Sequence, residues 1–138
     1  MLHLAIFTPG YITKIFTGQK TIDARFSKIQ CAPFGNIEKG DLVLMKKSGG
    51  AIEGYFVAGN VKFYKNLTPD KLKEIIKKNW DALALSEKFW QERVSATLLT
   101  LIDIKRPTKF RIPVTVKKRS LSGWVMLGGE SQKQIQLF

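Results

Sequence analysis

Short apolar or alternating segments recur along this chain, and glycine or proline separates most of them. Segments of this length and pattern are typical of β-strands. Strands are predicted over Leu2–Phe7, Thr21–Phe26, Asp41–Lys46, Ile52–Tyr64, Ala96–Ile104 and Trp124–Leu127. In the long fourth strand, Gly54 and Gly59 predict bulges or close backbone approach. The strands do not alternate regularly with helices, which argues against a doubly wound sheet. We therefore expect an α+β, mainly β protein, built as a small β-barrel with flanking helices.

Three stretches between the strands carry helix signals. Apolar residues recur at helical spacing over 11–16, and Gly18 suits the end of that helix. The Thr-Pro-Asp sequence at 68–70 combines a capping hydroxyl, a proline in the first turn and an early acid, which together predict a helix start. A third, short helix is predicted over 86–93, with Ser86 as its cap.

The charge of the chain restricts its partners. The 138 residues fit one domain over 1–138, and 23 Lys and Arg against 11 Asp and Glu give a formal net charge of +12. Such a charge attracts nucleic acid, an anionic membrane or an acidic protein, although it can also serve solubility alone. No apolar run approaches the roughly 18 residues needed to span a bilayer, and no predicted helix pairs a long basic face with a large apolar one. We therefore favour nucleic acid and expect no membrane contact.

Cysteine and histidine are too scarce for disulfide or zinc chemistry. Cys31 is the single cysteine and His3 the single histidine, whereas a structural zinc site takes about four such ligands. We expect no metal and no cofactor, and a packed or surface role for His3. The N-terminus lacks the basic and apolar segments of a signal peptide, which predicts a cytoplasmic protein. The oligomeric state is left open.

The densest basic segment is Lys105–Arg119, which contains seven Lys or Arg residues and no acid. Unopposed charge of this kind is costly to gather without an anion nearby, and an RNA phosphate backbone supplies one. Lys117, Lys118 and Arg119 are predicted to bind phosphate, with a solvated loop as the alternative. Trp124 follows the segment and is a candidate for stacking on a base, although core packing is the commoner role of a single aromatic ring.

A second cluster lies within 18–25, where Lys20, Asp23 and Arg25 are close in sequence. Asp23 and Arg25 share one face of the predicted strand because side chains alternate along it. A carboxylate beside a guanidinium is held ionised and oriented. Such a pair can read a base edge, with the acid accepting a hydrogen bond from an exocyclic amine. A structural ion pair is the alternative that spacing leaves open.

The residues Gly18, Lys20, Asp23 and Arg25 resemble the G-x-K-x-x-E-x-R signature of ASCH domains, which belong to the PUA-like superfamily. The chain is also similar to small bacterial and archaeal members at Ala-Pro-Phe-Gly (32–35), Gly-Asp-Leu-Val (40–43), Lys-Lys-Ser-Gly-Gly (46–50), Leu-Thr-Pro (67–69) and Trp-Val-Met-Leu (124–127). Asp23 departs from the signature, because Glu is usual there. The substitution keeps the charge and shortens its reach by one methylene.

This resemblance implies a PUA-like β-barrel, a cleft along the signature, and RNA, single-stranded or structured, as the ligand. Some ASCH proteins remove the acetyl group from acetylated cytidine with a Lys and a Thr three residues later. Here Lys20 matches the Lys, but Asp23 occupies the Thr position, and Thr21 is expected to face the other way. Other ASCH proteins are described as metal-dependent ribonucleases, for which Lys20 and either Ser120 or Ser122 would be analogous.

Three functions remain open from the sequence. The first, which we favour, is a non-catalytic domain that recognises RNA or a modified nucleoside in the cleft. The second is an RNA-directed hydrolase, either a ribonuclease or an N4-acetylcytidine amidohydrolase, with Lys20, Asp23 and Ser122 as catalytic residues. Asp23 favours the charged form of Lys20 and so opposes the use of that amine as a base. The third is an adaptor that binds an acidic protein.

Overall fold

The computed structural model describes residues 1–118, 122–127 and 135–137, with the backbone alone for 117, 118 and 135–137. The strands in this part of the chain are β1 (Leu2–Phe7), β2 (Ile22–Ser27), β3 (Leu42–Lys47), β4 (Ile52–Tyr64), β5 (Leu98–Val114), β6 (Val116–Lys118), β7 (Trp124–Leu127) and β8 (Ile135–Leu137). The helices are α1 (Tyr11–Phe16), α2 (Pro69–Lys78), α3 (Trp80–Leu83) and α4 (Glu87–Gln91).

Six strands form one curled mixed sheet, a half-barrel, in the order β2-β5-β4-β3-β1-β7. β1 runs parallel to β3, and the other neighbours in this sheet are antiparallel. β6 and β8 form a separate antiparallel pair. The predicted mainly β fold with flanking helices is confirmed. The strand order places β2 at one edge of the half-barrel and β7 at the other.

Capping hydrogen bonds start two of the helices where the sequence predicts them. The Thr68 hydroxyl accepts a hydrogen bond from the Lys71 amide at 3.2 Å, and the Ser86 hydroxyl accepts one from the Phe89 amide at 3.1 Å. The sequence pattern does not predict α3, because its four residues are too few to show helical periodicity. Within the described residues, no helix has both the length and the apolar character needed to cross a membrane.

Most of the basic segment is strand and not the solvated loop considered as the alternative, because the strand predicted over Ala96–Ile104 continues to Val114. β5 continues from the apolar core to Val114, and its second half pairs with the first half of β4, so that Lys109 lies opposite Gly54 and Lys105 opposite Val57. Consecutive side chains over 105–109 are exposed. Both faces of the strand therefore meet solvent here, and the apolar alternation that reveals a strand in sequence is absent.

Close packing between β4 and β5 explains both glycines of β4. A Cβ on Gly54 would overlap the Thr108 carbonyl oxygen, and a Cβ on Gly59 would lie 2.9 Å from carbons of the Lys105 side chain. The register of the β4–β5 ladder also shifts at these places. The predicted close backbone approach is therefore confirmed at Gly54, whereas Gly59 lies at a register shift and its close neighbours are side chains.

The apolar core holds the helices against the sheet and so positions the site. Strand residues such as Phe56 and Ile102 and helix residues such as Leu72 belong to one buried cluster. Phe26 of β2 contacts both aromatic rings of α4, with centroids 6.5 Å from Phe89 and 6.2 Å from Trp90. This packing fixes α4 beside the strand that carries the signature.

Candidate functional site

A cleft of about 320 Å³ opens beside β2. Its walls come from segments far apart in sequence: β1 and the loop after it, α1, β2, the loop over 31–34, α4, and the residues leading into β7. The lining includes Lys20, Asp23, Arg25, Phe7, Tyr11, Phe34, Phe89, Arg93, Ser122 and Trp124. The fold therefore brings the three signature residues predicted from the sequence together in one cleft.

Lys20 reaches the cleft through a tight turn after α1. Gly18 has a φ of +82°, a left-handed conformation that glycine adopts without strain, and the Lys20 amide donates to the Lys14 carbonyl at 2.9 Å. The residue is 2% exposed. Its ammonium donates to the Leu83 carbonyl at 2.6 Å and lies 5.2 Å from the centre of the Tyr11 ring. The protein therefore supplies partners for this buried charge.

Burial lowers the pKa of Lys20 to about 8, from an ordinary value of 10.5. The Asp23 carboxylate raises the pKa of Lys20, whereas Arg25 and Lys14 lower it further. The sequence gives the correct sign for the effect of Asp23, but it does not reveal burial, which is the larger effect. At neutral pH the amine is mostly protonated and can donate to a ligand, and a neutral amine becomes available at mildly alkaline pH.

Asp23 and Arg25 form an ion pair that also links the two edges of the half-barrel. Arg25 Nε donates to Asp23 Oδ2 at 2.7 Å. Arg25 Nη1 donates to the Ile6 carbonyl at 2.9 Å and to the Gly123 carbonyl at 3.4 Å. Arg25 lies on edge strand β2, whereas Gly123 directly precedes the opposite edge strand β7. The structural ion pair that the sequence left open is therefore present, and it helps close the fold.

Aromatic rings surround the Arg25 guanidinium. Its central carbon lies 4.7 Å from the centre of the Phe7 ring and 5.0 Å from that of Trp124. An arginine has five N–H groups, and three of those of Arg25 donate to protein oxygens. The two N–H groups on Nη2 form no hydrogen bond to the described residues. Arg25 thus both orients Asp23 and links the two sheet edges, and its Nη2 group remains able to donate to a ligand.

A buried hydrogen-bond chain holds Trp124 in the wall of the cleft. Trp124 Nε1 donates to His3 Nδ1 at 3.1 Å. Because an indole only donates, His3 Nδ1 is unprotonated, and Nε2 donates to Asp41 Oδ2 at 2.9 Å. Burial would raise the pKa of the Asp41 carboxyl, but hydrogen bonds from His3 and the Glu38 amide hold that pKa below its usual range. The Trp124 ring is 3% exposed and packs against Arg25, so base stacking by Trp124 stays a prediction.

The lining residues that the sequence pattern does not reveal include Tyr11, Phe34, Phe89 and Arg93. The Arg93 guanidinium lies 3.4 Å from the centre of the Phe89 ring, and Tyr11 meets Phe89 edge-on with centroids 5.2 Å apart. Burial lowers the pKa of Arg93, which nonetheless stays charged. No spacing in the sequence connects these residues to the signature, because only the packing of the helices and loops brings them to the cleft.

The side chains predicted to bind phosphate lie outside the described part of the chain. The cations over 105–111 are exposed on β5 and do not line the cleft. Lys117 and Lys118 lie in β6, and their side chains are outside the described part of the chain. Arg119 lies wholly outside the described residues. Phosphate binding by these three residues stays a prediction.

The residues proposed for catalysis are placed unequally. Ser122 lines the cleft, and its hydroxyl donates to the Trp124 carbonyl at 2.7 Å. Ser120 lies outside the described residues. Thr21 is exposed, and it does not line the cleft in the part of the chain that is described. The described residues contain no group of three or more His, Cys, Asp or Glu side chains placed to hold a metal ion.

Comparison with known proteins identifies the fold. No family model matches the sequence, and no curated protein matches it. An ASCH protein from Zymomonas mobilis superposes with a TM-score of 0.70 at 11% identity, over 96% of this chain and 92% of that chain. A serine-to-alanine variant of an ASCH protein from the same organism superposes with a TM-score of 0.62 at 12% identity, over 81% and 72%. The hypothetical protein PH0355 gives a TM-score of 0.55 at 18% identity, over 78% and 100%. The chain therefore has the fold of these ASCH proteins.

Proposed function

We propose that this protein binds RNA and takes one nucleobase into the cleft beside Lys20, Asp23 and Arg25. The observation that supports this most directly is the convergence of a buried lysine and an oriented carboxylate in a cleft of about 320 Å³ with aromatic walls. Small-molecule sites commonly have volumes of about 300–1,000 Å³, with a few polar groups among apolar side chains. A single base or nucleoside, ordinary or modified, fits this description.

The polar groups of the cleft complement the edge of a base. Asp23 is held by Arg25 Nε through one carboxylate oxygen, Oδ2, and a carboxylate has further lone pairs that accept from an exocyclic amine. The Lys20 ammonium, mostly protonated at neutral pH, donates to a carbonyl or ring nitrogen. Tyr11, Phe7 and Phe89 supply ring surface beside these groups, and base–aromatic contact is favourable for every base.

The charge of the whole chain supports RNA as the ligand. A net charge of +12 attracts a polyanion over a distance and raises the rate at which it is encountered. The predicted cations at 117–119 and the exposed cations of β5 would then contact phosphates of the strand outside the cleft. We also propose that the protein acts in the cytoplasm, as expected from the sequence.

The Asp23→Asn variant tests whether the cleft reads a base. Asparagine keeps one acceptor and loses the charge, so affinity for the preferred short RNA should fall by about 1–3 kcal/mol, the usual worth of a good base contact. Sequence preference should relax, while the dependence of affinity on salt stays nearly constant because no phosphate contact is removed. Binding titrations of several short RNAs at two salt concentrations measure both quantities.

Asp81→Asn is the matched control, because Asp81 is exposed on α3 and its loss changes the net charge by the same amount. If the cleft only attracts phosphate, both variants should bind RNA equally well or slightly more tightly than the wild type. That outcome, with sequence preference unchanged, would reduce the Asp23–Arg25 pair to a structural role. Polyglutamate that competes as well as RNA at equal charge would favour the acidic-protein adaptor instead.

A second candidate function is RNA-directed hydrolysis. The specific observation in its favour is the pKa of Lys20, which burial lowers to about 8 and thus brings the amine within reach of base catalysis. Asp23 and Ser122 line the same cleft. Incubation of the protein with short RNAs, with and without divalent metal, and with N4-acetylcytidine separates this candidate from simple binding. Product formation that disappears in Lys20→Met would establish catalysis.

A further inference from the structure

A second cavity of about 310 Å³ adjoins the cleft and has no part in the function proposed above. The two share four lining residues, Thr8, Tyr11, Phe89 and Arg93, and therefore lie on either side of one wall. The second cavity is otherwise bounded by the start of α1 and by the surface of α4. A ligand that fills the cleft beside Lys20 thus has this cavity as an immediate neighbour.

The second cavity has a strong excess of positive charge. Lys14, Lys88 and Arg93 line it, and Glu92 is the single acid among its described lining residues. Glu92 Oε2 lies 3.9 Å from Arg93 Nη1, and the Glu92 side chain is largely exposed. Three cations against one solvated carboxylate leave two positive charges beside the cleft. The expected occupant of such a cavity is an anion.

Two of these cations are held in place by the protein before any ligand arrives. The Lys14 ammonium donates to the Ala84 carbonyl at 3.1 Å and lies 5.2 Å from the centre of the Tyr11 ring. The Arg93 guanidinium stacks on Phe89 and donates to the Phe89 carbonyl at 3.0 Å. Cations that are already ordered lose less side-chain entropy when an anion binds. Arg93 belongs to both cavities, so a group bound on one side of the wall is within reach of the other.

The geometry points to a phosphate subsite: the second cavity holds a phosphate of the same strand whose base occupies the cleft, bound by Lys14, Lys88 and Arg93. This assignment rests on the proposed function. It specifies the ligand further, because a free nucleoside would leave these cations without an anion, whereas a nucleotide or an RNA strand fills both cavities. Arginine suits this role because its planar group can form two parallel hydrogen bonds to a phosphate.

A charge-matched pair of variants tests the subsite. The double variant Lys14→Gln/Lys88→Gln removes two cations from the second cavity, and Lys77→Gln/Lys78→Gln removes two exposed cations from the end of α2. The probe is a labelled random-sequence RNA octamer titrated at several salt concentrations. We expect the first variant to bind roughly tenfold more weakly and to flatten the slope of log affinity against log salt by about 0.7, as loss of one phosphate contact on a single strand predicts. We expect the second variant to stay within about twofold of the wild type.

The single variant Lys88→Gln controls for misfolding, because Lys88 is exposed and its replacement breaks no described hydrogen bond. This variant should show part of the same loss of affinity.

A second experiment uses ribonucleosides and their 5′- and 3′-monophosphates as competitors of the octamer. The monophosphate should compete better than the nucleoside in the wild type, and this advantage should shrink in the double variant. Equal effects of the two charge-matched variants, or a monophosphate no better than its nucleoside, would overturn the phosphate subsite. Failure of the proposed function looks different, since the wild type would then not bind the octamer or Asp23→Asn would leave preference unchanged.

Discussion

Replacing Lys20 by methionine tests the central physical claim about the cleft, which is that it contains a buried ammonium. Methionine is similar in length and apolar, so the variant removes the charge and the hydrogen bond to the Leu83 carbonyl with little change in packing. The lost hydrogen bond is stronger when the amine is charged, and this pH dependence is itself part of the titration of Lys20. The pH-dependent part of the difference between wild type and variant therefore reports the titration of Lys20 alone.

The sign and size of that difference follow from the pKa. Burial lowers the pKa of Lys20 in the folded state to about 8, against 10.5 for the ordinary side chain. Between these two values the unfolded chain binds more protons than the folded one, so the free energy of unfolding rises with pH. Below pH 8 both states are protonated, and the cost of burying the ammonium is fully present. From pH 7 to pH 10 the wild type should gain about 2.5 kcal/mol relative to Lys20→Met.

Urea denaturation of both proteins at intervals between pH 7 and pH 10 measures this difference. Lys73→Met is the control, because Lys73 is exposed on α2 and its removal should shift stability by a similar amount at each pH. The burial of a charged amine would be refuted if the difference in free energy of unfolding between wild type and Lys20→Met changed by less than ~0.5 kcal/mol over this pH range, beyond the uncertainty of the extrapolation. That result would also remove the main observation in favour of Lys20 as a base.

Three other outcomes are expected. Gly54→Ala should lower the free energy of unfolding by about 1–3 kcal/mol in urea titrations, because the added methyl group meets the Thr108 carbonyl. The control is Gly123→Ala, which should lower the free energy of unfolding by less, because the nearest atom there is 4.0 Å away. Alanine at all three cations of 117–119 should weaken binding to every short RNA alike and flatten a salt slope of about −3 to −4, and unchanged binding would exclude this segment from the interface. The protein should not deacetylate N4-acetylcytidine efficiently, because Asp23 occupies the position of the Thr that some ASCH proteins use for this reaction. Turnover that Asp23→Ala abolishes would show otherwise.

The strands and caps that the sequence predicts well are those whose signal is local. Period-two alternation over 21–26 marks β2, and Thr68 and Ser86 show their helix starts through side-chain chemistry alone. The second half of β5 has no such signal, because its side chains are exposed on both faces and pairing with β4 supplies the strand conformation. A segment whose structure depends on a distant partner reads as a loop when taken alone.

The candidate site divides in the same way. Lys20, Asp23 and Arg25 lie within six residues of each other, so spacing alone predicts that they act together. Phe89 and Arg93 reach the cleft because α4 packs on Phe26 of β2, a contact between residues more than 60 positions apart. Burial of Lys20 also depends on α3, whose Leu83 carbonyl receives its ammonium. Such long-range contacts determine pKa values and cavity shape, and they cannot be predicted from the pattern of a single sequence.

The double role of Arg25 decides which signature residue carries information about a ligand. Its Nη1 group bonds to the carbonyls of Ile6 and Gly123 and so joins the two edges of the half-barrel, while its Nε group orients Asp23. Any substitution of Arg25 would therefore loosen the fold and release Asp23 at the same time, and a loss of RNA binding would have two causes. The Asp23 side chain does not itself bond to Ile6 or Gly123, and its hydrogen-bond partner among the described residues is Arg25. The charge that distinguishes one base from another is thus expected at Asp23, with Lys20 as the opposing donor, and Arg25 is the positioning residue that orients that carboxylate in the cleft.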